Sequence, residues 1–212
     1  MKLLHVIATP RGEQSGTLRV SRAFLACLQS QDSDLVVDVV DLYDHELPAL
    51  GGDNITAKYT LMADQPIDKT QVESWRRIEA LVEHFLSADV YLITTPMWNL
   101  GIPYALKYYI DCLVQPGYLF RYDETGQLVP LVHGKKMICV TSRGGDYSPA
   151  SPMRAFDFQE PYLRAIFGLT GITDIEFINA EPMDISADLR EITISVAVTA
   201  AGKLAGQLVA AM

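Results

Sequence analysis

Five short apolar runs, each followed by a segment with helical spacing, constrain the fold of this chain most strongly. The runs are nearly continuous in apolar residues, as strands covered on both faces are. They cover residues 3–7, 35–40, 90–94, 136–141 and 174–178. Helical spacing occurs at residues 17–29, 69–86, 103–113, 158–167 and 187–211. The alternation predicts an α/β fold, a doubly wound five-stranded parallel sheet with helices on both faces.

Three further segments modify this scheme. Residues 49–67 form a long connection, which is typical of a functional or partly helical segment. Residues 116–136 alternate around a turn at 124–126 and predict a hairpin inserted before the fourth strand of the sheet. In the last helix, Gly202 and Gly206 indicate close packing on the sheet, because Lys203 and Gln207 interrupt any membrane-spanning stretch. Its predicted inward stripe is Leu189, Ile192, Val196, Leu204 and Leu208.

Composition limits the function classes. The chain has 212 residues, 49% of them hydrophobic, so we expect residues 1–212 to form one domain. The net charge of -9 makes nucleic acid an unlikely partner. The N-terminus enters a strand-like run without a signal-peptide pattern, which indicates a cytoplasmic protein that is not membrane-bound. Cysteines are odd in number and histidines lack ligand spacing, so no disulfide framework or metal site is predicted.

The segment TTPMWNLGIPYALKYYID, residues 94–111, joins the third strand of the sheet to a helix through a loop with Pro96, Gly101 and Pro103. Such a loop lies at the carboxyl edge of a parallel sheet, where open α/β sheets bind ligands. Residues 97–99 supply a sulfur, an indole and an amide, a set suited to the edge of a heteroaromatic ring. The alternative is that Met97 and Trp98 fill core and Asn99 caps a turn. We call residues 96–100 the ring loop.

A second loop, residues 9–17, brings hydroxyl groups to the start of the first helix, and we call it the phosphate loop. Hydroxyls and free amides at a helix N-terminus form a phosphate site. Neither the P-loop pattern nor the GxGxxG dinucleotide fingerprint is present, which favours a monophosphate. The alternative is that Ser15 or Thr17 is an ordinary N-cap.

A third loop, residues 142–145, carries two adjacent glycines, and we call it the glycine loop. Gly144 and Gly145 permit backbone angles that aim several amides at one point, a nest suited to developing negative charge. A plain turn is the alternative. Because all three loops follow strands of one parallel sheet, they are expected to converge at one edge, which favours a shared site.

These loops resemble those of the bacterial FMN-dependent NADH:quinone oxidoreductases and azoreductases, members of the flavodoxin-like superfamily. The motifs are PMWN with the following Pro103, Leu106, Lys107 and Asp111, then GYLFRY at residues 117–122, and SRGG at residues 142–145. The resemblance covers nearly the whole chain. It departs where Thr9 replaces the usual serine and where Gly16-Thr17 replace the family's x-Ser, although a hydroxyl is kept at each place.

The resemblance implies that FMN is bound by all three loops. The implied cofactor-binding residues are Thr9, Ser15, Gly16, Thr17, Pro96, Met97, Trp98, Asn99, Leu100, Ser142, Arg143, Gly144 and Gly145. The loops hold no carboxylate pair, Ser/His dyad or metal cluster, so no side chain is predicted to be catalytic and the flavin carries the chemistry. Asn99, Gly144 and Gly145 are expected to support it by stabilising charge on the ring.

The resemblance also implies a ping-pong transfer of two electrons from NADH or NADPH to quinones and azo compounds, in a homodimer with two pockets at the interface. Tyr118, Phe120 and Tyr162 are candidates for the substrate pocket, or else packing residues. Arg11 and Arg143 are candidates for a nicotinamide 2′-phosphate, for FMN or for a carboxylate partner. The main alternative is a flavodoxin-type electron carrier, which needs neither the inserted hairpin nor the long connection.

Overall fold

The computed structural model describes residues 1–62 and 65–210, and its centre is a parallel sheet. The strands are β1 Lys2–Ile7, β2 Val36–Asp41, β3 Val90–Pro96, β4 Phe120–Tyr122, β5 Leu128–Pro130, β6 Lys136–Ser142 and β7 Asp174–Ala180. The central sheet has the order β2-β1-β3-β6-β7, and every neighbouring pair is parallel. The predicted flavodoxin-like α/β fold is confirmed.

The helices lie where the helical spacing placed them, with one addition. They are α1 Gly16–Gln31, α2 Asp53–Met62, α3 Lys69–Leu86, α4 Tyr104–Leu113, α5 Glu160–Thr170 and α6 Ala187–Ala210. The long connection is partly helical because it contains α2. The predicted end of the last helix at Ala211 lies outside the described residues. The predicted hairpin is also confirmed, since β4 and β5 pair antiparallel with Phe120 opposite Pro130.

The strands of the central sheet run slightly further than the apolar runs that predicted them. β3 and β6 continue in register to Pro96 and Ser142, which lie opposite each other. The ring loop and the glycine loop therefore leave neighbouring strands at the same level. β1 lies on the other side of β3 in the sheet, so the phosphate loop joins them at the same edge.

Helix α6 is the described helix that is long and apolar enough, by length and composition alone, to cross a membrane. Its buried stripe consists mostly of small residues, namely Thr193, Ile194, Ala197, Ala201, Ala205 and Leu208. The predicted stripe was wrong at Ile192 and Val196, which are 60% and 66% exposed. Alanines face inward because α6 packs closely on α1, where Cys27 Sγ lies 3.6 Å from the Gly202 carbonyl oxygen.

Candidate functional site

A cavity of about 330 Å³ opens at the carboxyl edge of the sheet, within the size range of ligand pockets. It is lined by residues of all three loops. Those among the predicted residues are Thr9, Ser15, Gly16, Thr17, Pro96, Met97, Trp98, Ser142, Arg143 and Gly144. The remaining predicted residues, Asn99, Leu100 and Gly145, adjoin this lining in sequence. The structure therefore brings the three loops together around one space.

The phosphate loop is fixed by a chain of side-chain hydrogen bonds. Thr9 Oγ1 donates to Ser15 Oγ at 3.2 Å, and Ser15 Oγ accepts from the Leu18 amide at 3.2 Å. Ser15 is thus the N-cap of α1, as the alternative interpretation required. The amides of Gly16 and Thr17, the first two of the helix, find no acceptor within the described residues. Two free amides at a helix N-terminus form a binding site for an anion.

The phosphate loop and the glycine loop are joined directly. Thr17 Oγ1 and Ser142 Oγ lie 2.5 Å apart and share a hydrogen bond. Thr17 is buried and Ser142 is partly buried, and both line the cavity. The link fixes the distance between the start of α1 and the end of β6, on two sides of the cavity.

A second buried chain of hydrogen bonds lies beneath the phosphate loop and was not predicted. His5 Nε2 lies 2.8 Å from Thr94 Oγ1, which donates to Ser21 Oγ at 2.8 Å, and Ser21 donates to the Thr17 carbonyl at 2.9 Å. Because the Thr94 proton is used on Ser21, the ring of His5 must donate through Nε2. Burial, helped by the charge of Arg22, lowers the pKa of His5 to about 4, so the ring is neutral near pH 7.

The ring loop contains a tight turn with an unusual backbone. Trp98 and Gly101 exchange two backbone hydrogen bonds of 3.0 Å each, and the two residues between them have positive φ. These are Asn99 at 48° and Leu100 at 71°. Asparagine tolerates this region, but a leucine there is strained by about 1 to 2 kcal/mol. Such strain is typical of functional sites, where the surrounding contacts enforce it.

The glycine loop differs from its prediction in one respect. Neither Gly144 nor Gly145 has a positive φ, so unusual backbone angles are not the reason for glycine here. Space is limited at position 144, because an added Cβ would lie 2.5 Å from Asp184 Oδ2 and the exposed Asp184 side chain would have to move. The amides of both glycines donate no hydrogen bond to the part of the chain that the structure describes. They therefore remain available to an acceptor at the cavity.

Arg143 belongs to the glycine loop, but its guanidinium is turned into the protein. The side chain is 0% exposed, and Nη1 lies 3.1 Å from Asp157 Oδ2. Glu160 and Glu181 carboxylate oxygens lie within 3.7 Å and 3.6 Å of its terminal nitrogens. Of the three alternatives left open for Arg143, the carboxylate partner describes its contacts in the structure. A buried cation was not expected from the sequence because arginines are mostly exposed.

A fourth wall of the cavity comes from the segment after β7 and was missed. Its lining residues are Met183, Asp184, Arg190, Glu191 and Ile194. Arg190 donates to the Met183 carbonyl at 2.8 Å and to Asp184 Oδ1 at 3.2 Å. This wall could have been predicted from the topology, because the loop after the fifth strand of a parallel sheet lies at the same edge as the other loops.

The three aromatic candidates for the substrate pocket do not share one cavity. Tyr118 contacts α3, where its hydroxyl accepts from Trp75 Nε1 at 3.1 Å and donates to Glu79 at 2.6 Å. Phe120 lines a cavity of about 410 Å³ near α4 and α5. Tyr162 lines a third cavity, of about 380 Å³, together with Gly101 at the end of the turn in the ring loop. Of the three aromatic candidates, Tyr162 is the one that lies next to the ring loop of its own chain.

Comparison with known proteins agrees with this geometry. A family model described as the flavodoxin-like fold matches residues 1–204. An FMN-dependent NADH:quinone oxidoreductase of Nitratidesulfovibrio vulgaris is 38% identical over 180 residues, which are 85% of this chain and 86% of that protein. FMN-dependent NADH:quinone oxidoreductase 3 of Pseudomonas fluorescens is 34% identical, with 99% and 98% covered.

A solved structure shows the same similarity in three dimensions. The azoreductase from Bacillus anthracis superposes with a TM-score of 0.87 at 30% sequence identity. The match covers 98% of this chain and 99% of that one.

Proposed function

This chain belongs to the FMN-dependent NADH:quinone oxidoreductase and azoreductase family, which has the flavodoxin-like fold, and we propose on that premise that it is an oxidoreductase with the same cofactor. It transfers two electrons from NADH or NADPH to quinones and azo compounds. It acts in the cytoplasm as a soluble protein, with residues 1–212 forming one domain.

One observation carries the proposal: free amides from two directions meet at one cavity beside a preformed turn. The amides of Gly16 and Thr17 hold the FMN phosphate together with the hydroxyls of Thr9, Ser15 and Thr17. The ring loop runs along the edge of the isoalloxazine. The amides of Gly144 and Gly145 face its pyrimidine end. This division of roles fits a monophosphate joined to a planar heterocycle better than it fits a dinucleotide or a triphosphate.

The side chains around the cavity bind and orient, and the two protons that a quinone takes up with two electrons come one with the nicotinamide hydride and one from water. Asp184 and Glu191, the lining carboxylates, are ion-paired with Arg190 and Arg19. Bound FMN supplies the electron chemistry, because it accepts two electrons from a nicotinamide and passes them to a quinone or an azo compound. Donor and acceptor then occupy the same place in turn, which is a ping-pong order. The amides of Gly144 and Gly145 stabilise negative charge at the pyrimidine end by about 2 to 4 kcal/mol each.

The substrate side of the site involves a second copy of the chain. Tyr162 adjoins the ring loop, whereas Tyr118 and Phe120 lie on other surfaces of the same chain. In a homodimer with two pockets at its interface, aromatic residues of both chains line each substrate pocket. Burial raises the pKa of Tyr162 to about 12, so its hydroxyl stays protonated and is available to donate a hydrogen bond to an acceptor oxygen or nitrogen.

Binding of FMN to purified protein tests the proposal, together with the double variant Ser15→Ala/Thr17→Ala. The wild-type protein should bind one FMN per chain. The double variant should bind FMN more weakly by about 1 to 1.5 kcal/mol per lost hydrogen bond, and more where the bond is charge-assisted. The variant also loses its N-cap, which costs about 1 kcal/mol of stability, so thermal unfolding without FMN is the control. A protein that prefers FAD or binds no flavin contradicts the proposal.

A further inference from the structure

A buried polar cluster lies behind the glycine loop and connects it to α5. Arg143 Nη1 donates to Asp157 Oδ2 at 3.1 Å, and Arg143 Nε donates to Gln159 Oε1 at 3.2 Å. Arg143 and Gln159 are both fully buried. Buried charges are costly to desolvate and give little net stability. The cluster therefore calls for an explanation other than stability of the fold.

The amide of Gln159 is a bridge between two of the three loops. Its Oε1 faces the guanidinium of Arg143 in the glycine loop, and its Nε2 donates to the Pro96 carbonyl in the ring loop at 2.8 Å. Arginine has only donors and a carbonyl has only acceptors, so the orientation of this amide is fixed by chemistry. A second link runs parallel to it, from the Phe158 amide to the Leu100 carbonyl at 3.0 Å.

The bridge acts where the ring loop needs support. Pro96 ends β3 and begins this loop, and the two positive-φ residues, Asn99 and the strained Leu100, follow within the next four positions. A strained turn persists only when its surroundings enforce it. Both ends of the ring loop are held by the segment just before α5, by Gln159 at Pro96 and by Phe158 at Leu100.

We propose that Arg143 and Gln159 are positioning residues that hold the ring loop and the glycine loop in one fixed relation, so that both ends of the flavin ring meet a preformed site. The inference rests on the proposed function and adds two residues that act through the loops and not through direct contact with the ring. Removing the bridge leaves each loop intact but loosens their relation.

The variant Gln159→Glu tests the bridge specifically. It keeps an acceptor for Arg143 but replaces the donor that faces Pro96 with a second oxygen, so FMN should bind about tenfold more weakly near neutral pH. Charged groups around position 159 are Arg143, Asp157, Glu160, Glu181 and Arg154. Burial and these carboxylates raise the pKa of the new acid and the facing Arg143 lowers it, so the pH at which affinity recovers is read from the titration itself. Protonation at lower pH supplies an O–H donor to the Pro96 carbonyl and should restore affinity.

Two further variants provide the controls. Gln159→Met removes both hydrogen bonds at similar volume, so its FMN affinity should fall by a similar factor without recovery at low pH. Gln115→Met is the matched control, because Gln115 is also fully buried and donates to backbone carbonyls, those of Asp111 and Cys112 at 2.6 Å and 3.2 Å. It lies at the end of α4, outside the cavity. Its unfolding temperature should fall while its FMN affinity stays at the wild-type value.

The measurements are FMN titration by flavin fluorescence at several pH values and the visible spectrum of the bound flavin, which reports the environment of the ring. The inference predicts an altered spectrum and weaker binding in both Gln159 variants, with pH rescue in Gln159→Glu alone. It is overturned if the wild-type protein binds FMN and the Gln159 variants match its affinity and spectrum, or if Gln115→Met weakens binding as much. A wild-type protein that binds no FMN instead overturns the proposed function, and this inference with it.

Discussion

The buried His5 should make the stability of this protein depend on pH in a way that one substitution removes. His5 Nε2 donates to Thr94 Oγ1, and glutamine places an amide nitrogen at nearly the same point. His5→Gln therefore keeps the hydrogen bond and abolishes the titration. Because the folded-state pKa of His5 is lowered from 6.5 to about 4, the unfolded chain binds a proton more readily than the folded one.

The size of the effect follows from linkage. A lowered pKa contributes stability that is fully present above pH 6.5 and is lost as the pH falls through the folded-state value of about 4. Each pH unit inside that window changes the free energy of unfolding by about 1.4 kcal/mol. Allowing for partial titration at the upper end, the wild-type protein should lose about 2 kcal/mol from this group between about pH 8 and about pH 5.

Urea unfolding at several pH values, at one fixed FMN concentration, measures this loss. Other groups titrate in the same range, and burial raises the pKa of the Glu181 carboxyl, which gives a contribution of opposite sign that is lost as pH rises. The difference between wild type and His5→Gln cancels such groups. His133→Gln, at an exposed histidine, is the control and should follow the wild-type curve. Parallel curves for wild type and His5→Gln would show that His5 does not cause the loss of stability at low pH.

Two other predictions concern the loops. Gly144→Ala should weaken FMN binding because its Cβ would meet Asp184 Oδ2 at 2.5 Å. The double variant Gly144→Ala/Asp184→Ala should recover most of the affinity. Equal affinities by fluorescence titration in the wild type and both variants would exclude a steric cause. Leu100→Val should lower the free energy of unfolding by about 1 to 2 kcal/mol, because a β-branched side chain fits the positive φ of this position poorly. Leu100→Gly should be tolerated, because glycine adopts positive φ without strain. Urea unfolding measures both variants, and equal free energies of unfolding would contradict the strain assigned to Leu100.

The fold could be predicted from the sequence because its determinants are local. A continuous apolar run indicates a covered strand and a 3.6-residue period indicates a helix, and both can be recognised without knowing any tertiary partner. The predicted buried face of α6 was partly wrong because it depends on a tertiary partner. Ile192 and Val196 are large and apolar, but close packing on α1 selects Ala197, Ala201 and Ala205 for the interface, and this depends on the neighbouring helix.

The candidate site was predictable to the level of its loops but not of all its side chains. Loops after strands of a parallel sheet share an edge, so the convergence of three of them follows from topology. The positive φ of Leu100 has no signal in the sequence, because glycine is absent there and the strain is imposed by distant contacts. The burial of Arg143 is likewise non-local, since it depends on carboxylates from α5 and from the end of β7.

Steady-state kinetics with NADH and a benzoquinone test whether one flavin site reacts with both substrates. If one site serves donor and acceptor in turn, double-reciprocal plots at several quinone concentrations should be parallel. Rapid mixing of the FMN-bound protein with NADH or NADPH alone should bleach the flavin at least as fast as turnover. Intersecting lines would contradict the shared site. A flavin that neither nicotinamide bleaches, but that an electron-transfer protein reduces quickly, would contradict the oxidoreductase and leave an electron carrier in its place.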